Sequence, residues 1–322
     1  MSFKAYPLQF VPIFKERIWG GEKLKTILDK SIESKNIGES WELSTVEGDV
    51  STIANGQWNG KKLTEIIQEF PVEILGTRVY NRFGKIFPLL FKYLDAKEDL
   101  SIQVHPNDEL AKERHDSFGK TEMWYIMQAD EQARVILGFK EKSNKEEYLK
   151  NLQEKTLLPK LEEIKVKEGD VYFLETGTIH AIGAGIVLAE IQQTSDITYR
   201  VYDWDRVDAN GNSRELHVDY ALDAMNYDVL QTHKTYSKEV NKPNELVNCS
   251  YFTTNFLPVE GVLEVNKDKE TFTVYMCVEG TFEIKHENTV YKYKKGDTVL
   301  IPASMNVYKL CGNASVLEIY IL

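Results

Sequence analysis

The sequence predicts a mainly β protein, built as sandwiches or barrels rather than around a parallel α/β sheet. Three observations carry that expectation. Short apolar or aromatic runs recur along the chain, most of them strand-sized. Gly-Asp, Pro or Asn-Gly punctuation separates several of them. A stretch of nine residues also returns in recognisable form 127 residues further on.

Taken in chain order, the first helix falls at 61–70, where Leu63, Ile66, Ile67 and Phe70 share one face and Pro71 stands beyond as a stop. Strands follow at 86–94, 101–104, 122–127 and 133–139. A second helix is expected over 144–155, then strands at 171–174, 186–193 and 198–202. The later part of 214–225 reads as helical, and 291–294 alternates with the period of a strand that has one wet face.

The repeat sets 166–174 (VKEGDVYFL) beside 293–301 (YKKGDTVLI). A Gly-Asp turn suits a hand-over between strands, because Gly accepts positive φ and Asp hydrogen-bonds locally. Upstream, 122–127 has a rough counterpart in 272–277, which sets Phe272 opposite Glu122. The pattern resembles the cupin superfamily, a jelly roll. It implies two cupin-like jelly-roll domains with a few short helices: residues 1–234, including the helical elements, and a smaller β domain over 235–322. His180 becomes Val307 in the second copy, and neither Gln103 nor His105 has a visible counterpart there. The second domain therefore reads as a relative without a metal site.

Composition narrows the function. With 322 residues, 42% of them hydrophobic and 28% charged, the chain can bury a sizeable core. A net charge of −11 argues against nucleic acid as a partner, though a small anion remains possible at a local cluster of Lys and Arg. There is no bilayer-length apolar run and no signal-peptide core, so no membrane association and a cytoplasmic location are expected. Cys249, Cys277 and Cys311 form no CxxC pair, and Cys277 reads as buried packing. Nothing implies an obligate protein partner.

The strongest local signal is Gln103-Val104-His105. Residues two apart in a strand face the same side, so the amide oxygen and the imidazole converge. Glu122 opens another strand, and His180 follows the Gly-Asp turn and a Thr-Gly-Thr segment. A barrel brings these places together into one metal site. Zinc accepts such a mixture of nitrogen and oxygen donors, and manganese, iron, cobalt or nickel also fit.

At these residues the sequence resembles the type I mannose-6-phosphate isomerases in their short bacterial form. The blocks that carry the likeness are 101–108 (SIQVHPND), 119–125 (GKTEMWY), 177–183 (GTIHAIG), 189–204 (AEIQQTSDITYRVYDW) and 18–21 (IWGG). The resemblance implies an enzyme interconverting mannose 6-phosphate and fructose 6-phosphate, through metal-assisted proton transfer and a cis-enediol. It also implies one zinc per chain on Gln103, His105, Glu122 and His180, and no organic cofactor. Larger members of the family carry a substantial helical insertion, whereas this chain has room only for a short one near 143–155. They also commonly place His before the active-site Lys, where this chain has Gly119.

Catalytic roles then fall to three residues. Arg200 is a fork of donors for a sugar oxyanion or the phosphate, unless it is tied to Asp196 or Asp203. Lys120 binds substrate oxygen, or assists proton transfer if its pKa is lowered. Glu190 is the preferred acid or base, with metal-bound water as its rival. Gln192 shares the Glu190 strand face, Trp19 and Trp124 offer an apolar wall, and His217 is a further pocket candidate. The alternatives are another cupin-type sugar metalloenzyme and a non-enzymatic carbohydrate-binding protein.

Overall fold

The computed structural model describes residues 3–207 and 211–322. Two sheets form the first sandwich. The larger has seven strands in the order His233–Lys234, Val171–Leu174, Glu122–Ala129, Ile186–Gln193, Leu89–Ala96, Ile37–Leu43 and Ile13–Gly21. The smaller has five, Tyr199–Tyr202, Ile102–Val104, His180–Ile182, Arg134–Phe139 and Leu161–Lys165. Between them pack Leu94, Trp124, Ile126, Val135, Leu137 and Leu188.

The opposite face of the seven-stranded sheet is buried as well. Phe91, Tyr93, Met123, Tyr125 and Ile191 meet the helices Leu63–Glu69 and Pro71–Leu75, together with Phe256, Phe272 and Val274 of a third sheet. A strand covered on both sides needs apolar residues at nearly every position. Hence 86–94 and 186–193 show no alternation in the sequence. The helices are short, as expected; among the described residues the longest, Lys145–Gln153, has nine residues. None is long and apolar enough to cross a membrane.

The third sheet, of six strands, lies wholly within 244–320. Its core is three 14-residue strands, Thr253–Asn266, Val307–Tyr320 and Thr273–His286. Cys277 is buried there, as its apolar run predicts. Phe272 enters this sheet fully buried, its ring 4.7 Å from that of Phe87 in the first sandwich. Phe272→Ala is expected to destabilise the protein by about 3–5 kcal/mol in chemical denaturation. A loss below about 1 kcal/mol would mean that this contact does not tie the sheets together.

The repeat is real in backbone terms. Gly169 and Gly296 both have positive φ, +86° and +91°. In each turn the Asp carboxylate accepts from the backbone N–H three residues before it, Lys167 or Lys294. Strand register corrects the alignment of the two copies. Leu174 pairs with Glu122, and Ile301, its equivalent, pairs with Thr273, so Thr273 and not Phe272 stands in the place of Glu122.

Register also supplies the counterparts that side-chain identity hides. His180 pairs with Gln103 as Val307 pairs with Asn266, and Lys92 pairs with Glu190 as Asn255 pairs with Glu318. Asn266 and Asp268 therefore occupy the places of Gln103 and His105. In the second copy the Lys267 ammonium donates to the Thr273 hydroxyl at 3.0 Å and to the Thr271 carbonyl at 3.2 Å.

Candidate metal centre

The four residues expected to bind metal come from three strand ends of the first sandwich. Gln103 and His180 are directly paired in the smaller sheet, and Glu122 opens a strand of the larger one. His105 lies just beyond the strand Ile102–Val104, where its carbonyl accepts from the Gly177 N–H at 2.9 Å. Gly177 has φ +87°, and a Cβ there would stand 2.7 Å from the Ala224 carbonyl oxygen. This close approach is why the chain spends a glycine beside His180.

His105, Glu122 and His180 are each no more than 2% exposed. Their candidate ligand atoms all lie within 4.8 Å of one another. Nε2 of His105 is 3.6 Å from one Glu122 oxygen, and Nε2 of His180 is 3.5 Å from the other. Each Nδ1 lies 2.8 Å from a backbone carbonyl, Ile197 for His105 and Thr178 for His180. A carbonyl only accepts, so both Nδ1 atoms carry the proton and both Nε2 lone pairs face inward.

Electrostatics keeps the imidazoles in that form. Burial, then the ammonium of Lys120, then His180 push His105 well below the ordinary histidine range. Burial takes His180 down to about 4. Burial raises Glu122 despite its bond to Lys120, and its Oε1 is buried with no hydrogen-bond partner. An orphaned carboxylate oxygen facing two unprotonated nitrogens is a setting for a cation. The Gln103 amide nitrogen is 3.2 Å from His180 Nε2, so a half-turn of that amide would present its oxygen instead. These donors fit a divalent ion of the zinc type.

In front of the cluster lies a cavity of about 440 Å³. Gln103 and Lys120 line it, whereas His105, Glu122 and His180 sit behind them. One wall is a ladder across the larger sheet, Trp41 beside Lys92 and Lys92 beside Glu190. Lys92 reaches Glu190 at 3.1 Å and Glu39 at 3.9 Å, while Arg17 holds Glu39 at 2.8 Å. Burial alone would raise Glu190, but Lys120 and Lys92 outweigh it and hold the carboxyl low. Three cations (Arg17, Lys92, Lys120) thus balance three carboxylates (Glu39, Glu122, Glu190). A bound divalent ion would leave the floor net positive, matched to an anionic ligand.

Of the other site candidates, Trp19, Glu190 and Arg200 line the cavity. Arg200 is not tied to Asp196 or Asp203. Asp203 is taken by Arg206 and Arg214, and among the described residues Arg200 makes no ion pair. Its Nη1 donates to the Glu215 carbonyl at 2.9 Å, and its Nε is buried without a partner. The other cavity cations, Lys15, Arg17, Lys92, Lys120 and Arg214, all have carboxylate partners.

Three candidates sit elsewhere than expected. Trp124 is no wall of the cavity; it is fully buried behind it, and its indole donates to Glu190 at 3.1 Å. Gln192 does not point into the cavity either, because its amide nitrogen turns back to the Gln193 and Ser195 carbonyls. His217 brackets Arg200 instead of lining the pocket: its N–H donates to the Arg200 carbonyl at 2.7 Å, and its Nδ1 accepts from the Arg200 N–H at 3.1 Å. The condition set on Lys120 is not met, since Glu122 and Glu190 outweigh burial and raise its pKa. Sequence reasoning missed Lys92, Glu39 and Trp41. The available signal was Lys92, the one charge in the otherwise apolar stretch 86–94.

Comparison with known proteins agrees with this architecture. The family described as phosphomannose isomerase type I, catalytic domain, matches residues 8–133, and the mannose-6-phosphate isomerase cupin domain matches residues 242–321. Mannose-6-phosphate isomerase ManA of Bacillus subtilis is 36% identical over 96% of this chain and 96% of its own length. The mannose-6-phosphate isomerase of Streptococcus mutans is 34% identical, covering 97% and 98%. The crystal structure of the Bacillus subtilis mannose 6-phosphate isomerase superposes with a TM-score of 0.90 at 37% identity, over 99% of this chain and all of that one.

Proposed function

The chain belongs to the type I phosphomannose isomerases and interconverts mannose 6-phosphate and fructose 6-phosphate, and we propose that it does so with one zinc ion held by Gln103, His105, Glu122 and His180. The observation that carries the metal assignment is the orphaned Glu122 oxygen facing two imidazole nitrogens whose other ring positions are already committed. When bound, zinc would supply Lewis acidity for the negative charge that develops on the sugar.

The chain's own side chains supply the rest. Isomerisation moves a proton between C2 and C1, which takes a group able to accept it and return it one carbon away. Glu190 is that group, ionised and within the cavity. The lysines that keep it ionised also weaken it as a base, so its service depends on Lys92 and Lys120 turning toward sugar oxygens. Lys120, charged and buried, donates to the oxygen on which negative charge develops. Arg200, which among the described residues is the cavity cation with no carboxylate partner, binds the substrate's phosphate or oxyanion. Trp19 bounds the apolar side.

The oxidation of C2 is balanced by the reduction of C1 within the same sugar, so this scheme requires no organic cofactor to carry electrons. A charged sugar phosphate does not cross a bilayer unaided, and on that ground we assign the reaction to the cytoplasm. We assign residues 1–234 to catalysis and 235–322 to support of the fold and the pocket.

Metal-loaded protein should interconvert the two hexose 6-phosphates, lose activity on chelation and regain it with zinc. Unphosphorylated mannose should be a much poorer substrate, because Arg200 then has no anion to meet. Metal-replete protein that binds the sugar phosphate without turning it over would overturn the reading.

A further inference from the structure

Lys120 sits between two residues whose backbone is held by side chains from outside the pocket. The Gly119 N–H donates to Asp108 Oδ1 at 2.8 Å, and the Thr121 N–H donates to Gln193 Oε1 at 2.9 Å. The Gln193 amide nitrogen in turn donates to the same Asp108 oxygen at 2.9 Å. The Lys120 N–H itself donates to the Pro106 carbonyl at 3.3 Å. Three consecutive N–H groups are thus fixed, two of them through Asp108 and Gln193.

The frame is closed from the C-terminal part of the chain. Tyr251 lies in the turn between Asn244–Asn248 and Thr253–Asn266, and its hydroxyl donates to Asp108 Oδ2 at 2.9 Å. The fit at Gly119 is tight. A Cβ there would stand 2.8 Å from the Asp108 nitrogen and 2.9 Å from the Asn107 carbonyl carbon, both backbone atoms. A side chain at position 119 would displace the segment that the frame holds. Glycine here is a condition of the frame.

We propose that Asp108, Gln193 and Tyr251 form a positioning frame that holds Lys120 on the reacting sugar, with Tyr251 as the link by which the C-terminal sheet reaches the active site. Among the described residues none of the three bonds directly to a proposed metal ligand, but Thr121, which Gln193 holds, precedes Glu122, so metal content is the readout that separates an effect on Lys120 from one on the ion. The inference rests on the catalytic reading of Lys120.

The test compares Asp108→Ala, Asp108→Asn and Tyr251→Phe in the full-length, metal-loaded enzyme, with Lys120→Ala measured alongside. Asp108→Ala should lower kcat by about ten- to a hundredfold, the scale of a misplaced catalytic group, while metal content stays at the wild-type level. Amide hydrogen exchange at Gly119 and Thr121 should quicken in the same variant. Asp108→Asn keeps an oxygen for the Gly119 and Gln193 donors, its amide can donate to the Tyr251 hydroxyl, and it should recover most of the loss; Tyr251→Phe should fall between, with KM unchanged.

Wild-type exchange and kcat in Asp108→Ala would overturn the frame. So would an Asp108→Asn variant as slow as the alanine one, which would assign the effect to charge. Loss of metal together with kcat would overturn it as well, since a loosened ligand scaffold gives that pattern. Normal turnover by Lys120→Ala sinks the reading of Lys120 instead, a result distinct from the others.

Discussion

His105→Ala is expected to yield a folded protein that no longer retains metal through gel filtration, with affinity reduced by at least about a hundredfold. That figure is the upper end of what the loss of a supporting hydrogen bond costs a metal site, and His105 is proposed as a ligand itself. Removing the ring deletes one of two inward lone pairs. It also strands the Ile197 carbonyl that orients the ring. Water can fill the vacated volume, but it brings neither the basicity nor the fixed direction of an imidazole. Metal analysis of the purified variant decides the matter, because stoichiometric retention contradicts the ligand role.

The second large effect is expected at Glu190→Gln. The amide preserves shape and can still accept from the Trp124 indole, so the metal should remain at one per chain and sugar binding should persist. Turnover should fall by about a hundred- to ten-thousandfold, the range associated with a positioned proton-transfer group. Part of the loss comes from the neighbours. Without the Glu190 charge, Lys92 is left with Glu39 at 3.9 Å as its remaining anion, and a buried ammonium so placed shifts toward neutrality or moves. Thermal unfolding run beside the kinetics separates a chemical loss from a folding one. Near-normal turnover in the variant would remove Glu190 from the mechanism and leave its two lysines as the residues to examine.

The clustering of His105, Glu122 and His180 is largely legible in the sequence, for a local reason. Gln103 and His105 share a strand face by period two, and Glu122 and His180 sit at strand starts, that of His180 marked by the turn before it. The fold class was legible for similar reasons, since turn punctuation and run length are written locally. Lys92, Glu39 and Trp41 were not. Their strands are buried on both faces, so the sequence lacks the alternation that would point each side chain toward the cavity or away from it.

Trp124 shows the same limit from the other side. Periodicity places it on the cavity face but does not say that Glu190 stands in front of it. The off-by-one match of Glu122 with Phe272 arose because ladder register is a property of two strands at once. One strand's composition does not contain it. Asn266 and Asp268 were invisible as counterparts for the opposite reason: the pairing survived while the residue types changed.

Lys267 gives the second copy a different dependence on its surroundings. Where the first copy gathers donors that could hold an ion from solution, the second places a side-chain amine of its own on Thr273, the residue standing where Glu122 stands in the other copy. The second copy thus answers its place with a titratable side chain, since burial lowers Lys267 to about 8, so its charge follows pH, where the proposed centre of the first copy would follow the supply of an ion.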